Sequence, residues 1–170
     1  VRNLMTPKNL PVSEEIGVKE KVWDYRNQFD SLLKAATREL ALRTRTLAIA
    51  TTDQGSVYSY GASHLLEQPE FFNIDVTKTV LSLIDNSNYL FEIVSKATST
   101  DAFFQDEYVH LLIGEDLGVE HLEPCGFVYQ TYQSGPHEGI VGVVGPARFQ
   151  YQRVVPVVDY FAQLISQLTK

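Results

Sequence analysis

Two apolar runs near the C-terminus, Phe127–Gln133 and Ile140–Val144, restrict the fold of this chain more than any other feature. In an extended run alternate side chains project to opposite sides, so Phe127, Tyr129 and Thr131 point one way and Val128, Gln130 and Tyr132 the other. The linking residues Ser134-Gly135-Pro136-His137-Glu138-Gly139 are rich in turn formers, and the pair reads as a β-hairpin with that stretch as its loop. Thr46–Thr52 and Ser56–Tyr60 repeat the pattern around Asp53-Gln54-Gly55, where Gly55 supplies the positive φ of a tight turn. Val109–Ile113 is a further strand candidate. Hairpins impose antiparallel pairing. Gly142, inside the last strand, predicts either a bulge or a close approach by another backbone.

The remaining periodicity is helical. From Glu20 to Thr44, Val22, Tyr25, Phe29, Leu32, Leu33, Ala36 and Leu40 recur at three- and four-residue steps and share a face. Asp75 is the expected N-cap of a helix to about Asp85, with Val76, Val80, Leu81 and Ile84 inward. Asn86-Ser87-Asn88 breaks the chain before a helix carrying Leu90, Phe91, Ile93 and Val94 to about Ala97. A last helix, about Tyr151 to Leu168, presents Val154, Val155, Val158, Phe161, Ala162, Ile165 and Leu168, with Pro156 expected to kink its first turns. Residues 1–19, with Pro7 and Pro11 and few large apolar groups, read as a linker or arm, and 20–170 as one folded body. The predicted class is α+β, an antiparallel sheet flanked by helices.

Composition narrows the function classes. A chain of 170 residues with 44% hydrophobic residues builds a core without staples. Its one cysteine, Cys125, has no partner for a disulfide within the chain, which points to a reducing compartment. Neither a signal peptide nor a bilayer-length apolar run is present, so no membrane partner is expected and the cytoplasm is the expected location. The first residue is Val1 rather than Met, and the segment reads as part of something longer. A formal charge of −7 repels phosphate backbones, which argues against a nucleic-acid face here.

Catalytic and cofactor patterns fail one by one. His64, His110, His121 and His137 stand far apart, with no zinc-ligand spacing. Gly139, Gly142 and Gly145 recur every third residue, which matches neither a phosphate loop nor a dinucleotide fingerprint. Cys125 reads as a small buried thiol. Glu115, Asp116, Glu120 and Glu123 lack the spacing of a calcium loop and read as a solvated acidic loop. The residues therefore predict no cofactor, no metal and no catalytic group.

Four blocks, in order, resemble one family. Gly145-Pro146-Ala147-Arg148-Phe149-Gln150-Tyr151-Gln152-Arg153-Val154-Val155-Pro156 resembles the closing block of the HrcA heat-shock repressors, a Gly-Pro-(Thr)-Arg strand end running into a helix with Tyr-x-Arg-Val-Ile-Pro. Gly61-Ala62-Ser63-His64-Leu65-Leu66-Glu67-Gln68-Pro69-Glu70-Phe71 is similar to the family's Gly-x-Ser-Asn-Leu-Leu-x-x-Pro-Glu-Phe. Ile113-Gly114-Glu115-Asp116, followed by Gly118 and Cys125, is similar to its Ile-Gly-Glu-Glu-x-Gly…Cys segment. Leu32 to Thr52 resembles the helix and first strand that follow its winged helix.

The resemblance implies a GAF-like regulatory domain, self-associating as a homodimer, from a repressor of chaperone genes. It further implies that operator DNA is bound only through an N-terminal winged helix absent here, and that the GroEL chaperonin is a partner. The motif residues Gly61, Leu65, Leu66, Pro69, Glu70, Phe71, Gly114, Glu115, Gly145, Pro146, Arg148, Tyr151, Arg153 and Pro156 are expected in structural or interface roles, with Arg148 holding a carbonyl or carboxylate at the strand–helix corner. The chain departs from the pattern at His64 (for Asn), Ala147 (for Thr) and Gln150 (for Asp), the last of which weakens the expected N-cap of the final helix. The family's dimerising insertion, which would fall near Asp53–Gly55, is missing or reduced to a tight turn. The rival reading is a GAF-like small-molecule sensor with a pocket lined by Tyr58, Tyr60 and Tyr129.

Overall fold

The structure, a computed structural model, describes residues 3–5, 10–22, 29–98 and 109–168. In chain order the elements are β1 (Asn3–Met5), α1 (Val12–Val22), α2 (Phe29–Thr44), β2 (Leu47–Thr51), β3 (Val57–Tyr60) and α3 (Ala62–Leu65). Then come α4 (Ile74–Asp85), α5 (Ser87–Thr98), β4 (Val109–Ile113), β5 (Cys125–Ser134), β6 (His137–Pro146) and α6 (Tyr151–Leu168). Single 3-10 turns at Pro69–Phe72 and Gly114–Leu117 link them. The sheet is antiparallel throughout and runs β1-β4-β5-β6-β2-β3. It is the expected α+β arrangement, an antiparallel sheet flanked by helices.

The alternation in β5 is buried on both sides. Phe127 and Tyr129 enter a core with Val76, Val80, Leu83, Leu90, Ile93 and Val94, whereas Val128 and Tyr132 enter another with Leu33, Leu40, Val154, Val158 and Phe161. Helices thus cover the sheet on both faces. α6 drives much of this, since Val154, Val155, Val157, Val158, Phe161, Ala162, Leu164 and Ile165 are all buried. Each of its larger apolar side chains contributes roughly 1.5–3 kcal/mol on burial.

The turns follow the residues that make them. Gly55 takes φ 85°, and the hydroxyl of Thr52 accepts from the backbone N–H groups of Gln54 and Ser56. The β5–β6 connection is tighter than predicted. Strand pairing runs without interruption to Ser134↔His137, so the six-residue loop shrinks to Gly135-Pro136. Gly135 has φ 61° and Pro136 a ring-fixed negative φ, the combination of a type II′ turn. Of the two readings of Gly142, the close approach holds. The ladder stays in register through it, and a Cβ there would strike the Val128 carbonyl oxygen and the Tyr129 backbone.

Three helix details differ from expectation. The cap of α4 is Asn73, whose side chain accepts from the Asp75 N–H, and the buried set is Val76, Val80 and Leu83 while Leu81 is exposed. Asn86 alone separates α4 from α5, its side chain accepting from the Asn88 N–H, while Ser87 and Asn88, expected to share the break, already belong to α5. The helix read across 20–44 is described as α2 from Phe29, while Tyr25 lies outside the described residues. Residues 1–19, expected as a linker or arm, carry β1 on the edge of the sheet and most of α1. Val18 is buried, and the Tyr160 hydroxyl donates to the Glu15 carbonyl at 3.2 Å, so α1 is held from Val12 by contacts distant in sequence.

Candidate functional site

The register decides where the motif residues meet. Ile113 pairs with Gly126, Gly126 with Gly145, Cys125 with Pro146, Leu47 with Val144, and Ala48 with Tyr60. The ends of β3, β4 and β6 therefore coincide with the starts of β2, β5 and α6. Gly61, Gly114, Gly145 and Pro146 all lie at this one end of the sheet. The Asp53–Gly55 turn, where the resemblance places a dimerising insertion, lies at the other.

At this end the chain is locked by short local devices. Arg45 takes φ 54° and Thr46 N–H donates to the Ala41 carbonyl, a Schellman-type close to α2. Gly61 has φ 95°, and a Cβ on it would collide with the Thr46 carbonyl oxygen. His64, in the family's Asn position, sets its Nδ1 3.1 Å from that same oxygen. Leu65 and Phe71 plug the core beneath, whereas Leu66 stays 56% exposed. Pro69 opens the 3-10 turn that aims Glu70 across to β6.

Arg148 receives it. Its Nε donates to Glu70 Oε2 at 2.8 Å and its Nη2 to Glu70 Oε1 at 3.1 Å and to Gln68 Oε1 at 2.6 Å. This fork holds the Glu70 carboxyl below the usual range, chiefly through the hydrogen bond from Arg148. Of the carbonyl or carboxylate expected at the strand–helix corner, Arg148 grips a carboxylate, that of Glu70. Around it, Ala147 N–H donates to the Pro124 carbonyl, the Tyr151 hydroxyl donates to the Ala147 carbonyl at 2.5 Å, and Arg153 Nη2 donates to the Arg43 carbonyl at 2.7 Å. α6 opens on the Gln150 carbonyl, which accepts from the N–H groups of Arg153 and Val154, so the backbone supplies the start. Pro156 is buried inside α6. Gly114 takes φ 60° against the Glu123 carbonyl, and Glu115 is exposed with its own carbonyl accepting from Gly118 N–H.

The chemistry of this end is that of a fastening. Cys125 is buried, and desolvation first, then Glu70 and Glu123, pushes its thiol up to about 12, so it stays protonated. Asp116 in the acidic loop accepts from the Ile113 N–H. No group of three or more metal-ligating side chains occurs among the described residues. Sequence reasoning passed over two contributors, Gln68 and Gly126. Gln68 bonds Arg148 across 80 residues, and Gly126 matters only because it pairs with Gly145.

The sensor pocket expected from Tyr58, Tyr60 and Tyr129 does not form. Tyr58 packs on the α2–α6 side, Tyr60 lies beside Arg38 of α2, and Tyr129 is buried on the α4–α5 side. A sheet separates them. A shallow cleft of 130 Å³ lies at the other end, lined by Phe29, Asp30, Thr52, Asp53, Gln54 and His137.

An α+β body whose motif residues brace one sheet end is the class of protein that this geometry defines. The model of the family described as "HrcA protein C terminal domain" matches residues 9–155, and the chain belongs to that family. Relatives named "Heat-inducible transcription repressor HrcA" include those of Ruminiclostridium cellulolyticum, 30% identical over 120 residues, and Geobacter sulfurreducens, 27% identical over 152. The first alignment covers 70% of this chain and 33% of the relative, the second 89% and 41%. The repressor of Syntrophobacter fumaroxidans is 26% identical, over 95% of this chain and 44% of its own length. The chain thus spans about a third to 44% of the length of these relatives. A solved structure described as "Crystal structure of a hypothetical protein at 2.2 A resolution" has a TM-score of 0.66 at 11% identity, covering 97% of this chain and 82% of that one; the likeness is one of fold. Among the described residues no helix is long and apolar enough to cross a membrane.

Proposed function

We propose that this chain is the regulatory and self-associating body of a heat-inducible transcription repressor that negatively controls chaperone genes. The observation that carries the reading is the family match over residues 9–155, with relatives that are named as such repressors. In this reading, the described elements from β1 to α6 form the regulatory body, since β1 and α1 pack with the rest although residues 1–19 were expected as an arm. Operator DNA is bound by a winged helix on a part of the protein outside this sequence, and the body sets the spacing of two such modules, since a two-fold protein matches a two-fold operator. The GroEL chaperonin supplies the signal, the compartment is the cytoplasm, and the body itself performs no reaction.

The physical support is the fastened sheet end. A device that holds DNA-binding modules at a fixed separation must resist deformation. The Arg148–Glu70–Gln68 bridge ties the β3–α4 connection to the β6–α6 corner without any reactive group.

A protein carrying this chain behind a winged helix is expected to protect a palindromic operator in a footprint, while the 170-residue chain alone shifts no duplex. Sedimentation of the chain at high micromolar concentration tests the self-association separately. A monomer there removes the dimer from the reading.

A further inference from the structure

β3 is the outer strand of the sheet, and one of its edges faces no strand among the described residues. Which of its backbone groups are spent follows from one hydrogen bond. Thr52 N–H donates to the Ser56 carbonyl, which makes that a hydrogen-bonded pair, and such pairs alternate along an antiparallel ladder. In the register Thr51↔Val57, Ala50↔Tyr58, Ile49↔Ser59, Ala48↔Tyr60, the backbones of Tyr58 and Tyr60 are therefore engaged with β2. Those of Val57 and Ser59 point outward.

The surface beside this edge is built for negative charge. Lys34 lies over the Tyr58 ring at 5.5 Å and Arg38 over the Tyr60 ring at 5.9 Å. Both cations are exposed, as is Ser59, and Tyr60 is 43% exposed. On α2 they occupy one stripe with Asp30, whose charge, after burial, helps to raise the Tyr58 phenol, and with exposed Leu42. A cationic and aromatic stripe is out of character for a chain of net charge −7. Val57-Tyr58-Ser59-Tyr60 is short, four residues, but carries no lysine, proline or bulge of its own to turn a partner strand away.

We infer that the β3 edge is a docking site for an extended acidic peptide segment of a partner protein. The segment adds as an antiparallel strand, exchanging hydrogen bonds with Val57 and Ser59. Its alternate side chains, acidic ones, meet Lys34 and Arg38 above the two tyrosines. The others lie on the face where Val57 packs into the α4–α5 core, which favours small apolar residues. A second copy of this chain fits less well. A two-fold axis through the sheet edge would set Lys34 and Arg38 against their own copies, like charge on like. A nucleic acid would meet the cations but leave the outward amide ladder unread, and the net charge opposes its approach.

The test uses the 170-residue chain and a short capped peptide of alternating valine and glutamate, followed by amide NMR and fluorescence anisotropy. The peptide is expected to shift the Val57 and Ser59 amides most, and the same peptide with lysine for glutamate is expected not to bind. Ser59→Pro removes only an outward-facing N–H and is expected to abolish binding, since proline is tolerated on a free edge. The double variant Lys34→Glu/Arg38→Glu, both surface positions, is expected to weaken binding about tenfold or more and to reduce its salt dependence. The inference is overturned by absence of binding at millimolar peptide, by equal binding of the lysine peptide, by preferential capture of an oligothymidylate, or by a dimer that Ser59→Pro converts to monomer. None of these outcomes depends on operator binding, so the repressor reading stands or falls separately.

Discussion

Gly126 and Gly145 face one another on neighbouring strands, and the ring of Phe149 lies over both. A Cβ on Gly145 would stand 2.6 Å from Phe149 Cζ, and one on Gly126 3.2 Å from Phe149 Cδ2. The two missing side chains make the slot that lets the chain turn from β6 into α6. Gly145→Ala is expected to destabilise the chain by about 1–3 kcal/mol through overpacking. Gly126→Ala is expected to cost less. Adding Phe149→Ala to Gly145→Ala should recover part of the loss in urea midpoints, and strict additivity of the two changes would refute the slot.

At Gly142 nothing flexible stands in the way to yield. A Cβ would meet the Val128 carbonyl and the Tyr129 backbone, the middle of the ladder. Gly142→Ala is expected to cost more than about 3 kcal/mol and to abolish cooperative unfolding. A variant with a native-like melting curve would contradict the close approach.

The Arg148–Glu70 bridge makes stability depend on pH. Glu70 is depressed below its ordinary value of 4.5 in the folded chain, so the stabilisation is present above that value and fades as pH falls through the folded one. Glu70→Gln is expected to melt below the wild type at neutral pH, with the difference closing in acid. Arg148 is 59% exposed and Glu70 20%, so solvent reaches the bridge and the gap should also narrow in high salt. A gap that is constant with pH would assign the loss to packing.

Cys125 provides a probe of opening. Its thiol is buried and raised to about 12, first by desolvation and then by Glu70 and Glu123. Labelling by a thiol reagent near pH 8 is expected to be at least about a hundredfold slower in the native chain than in urea. Equal rates would mean that the start of β5 opens freely.

Tyr132 donates to the Thr51 carbonyl at 2.6 Å in the other core. Tyr132→Phe leaves that oxygen short of a partner and is expected to cost about 1–3 kcal/mol in chemical denaturation. Burial raises the phenol above its ordinary value, so this contribution holds below that value and is lost as pH rises through the folded one. Wild type and variant should converge in strong alkali.

Much of this architecture was legible from local patterns. The two hairpins announced themselves through alternation and turn residues, and α6 through its apolar stripe, because both signals come from neighbours within a few positions. Arg148 was legible as the holder of a carbonyl or a carboxylate, though neither which of the two nor from which residue. β1 and α1 were passed over because short segments with few large apolar groups owe their order to what they dock against: β4 for one, α2 and Tyr160 for the other. Leu81 and Leu83 both fit a helical stripe, and only the position of the sheet beneath α4 selected Leu83.

By itself the sequence determined the α+β class, the antiparallel pairing and the absence of familiar catalytic spacings, since these rest on periodicity, turn chemistry and residue type. Tertiary structure alone decided that Tyr58 and Tyr129 stand on opposite faces, that Glu70 is the partner of Arg148, and that the scattered motifs converge on one sheet end. Those are facts of strand register and order. They couple residues as far apart as Gln68 and Arg148, whose proximity no local periodicity encodes.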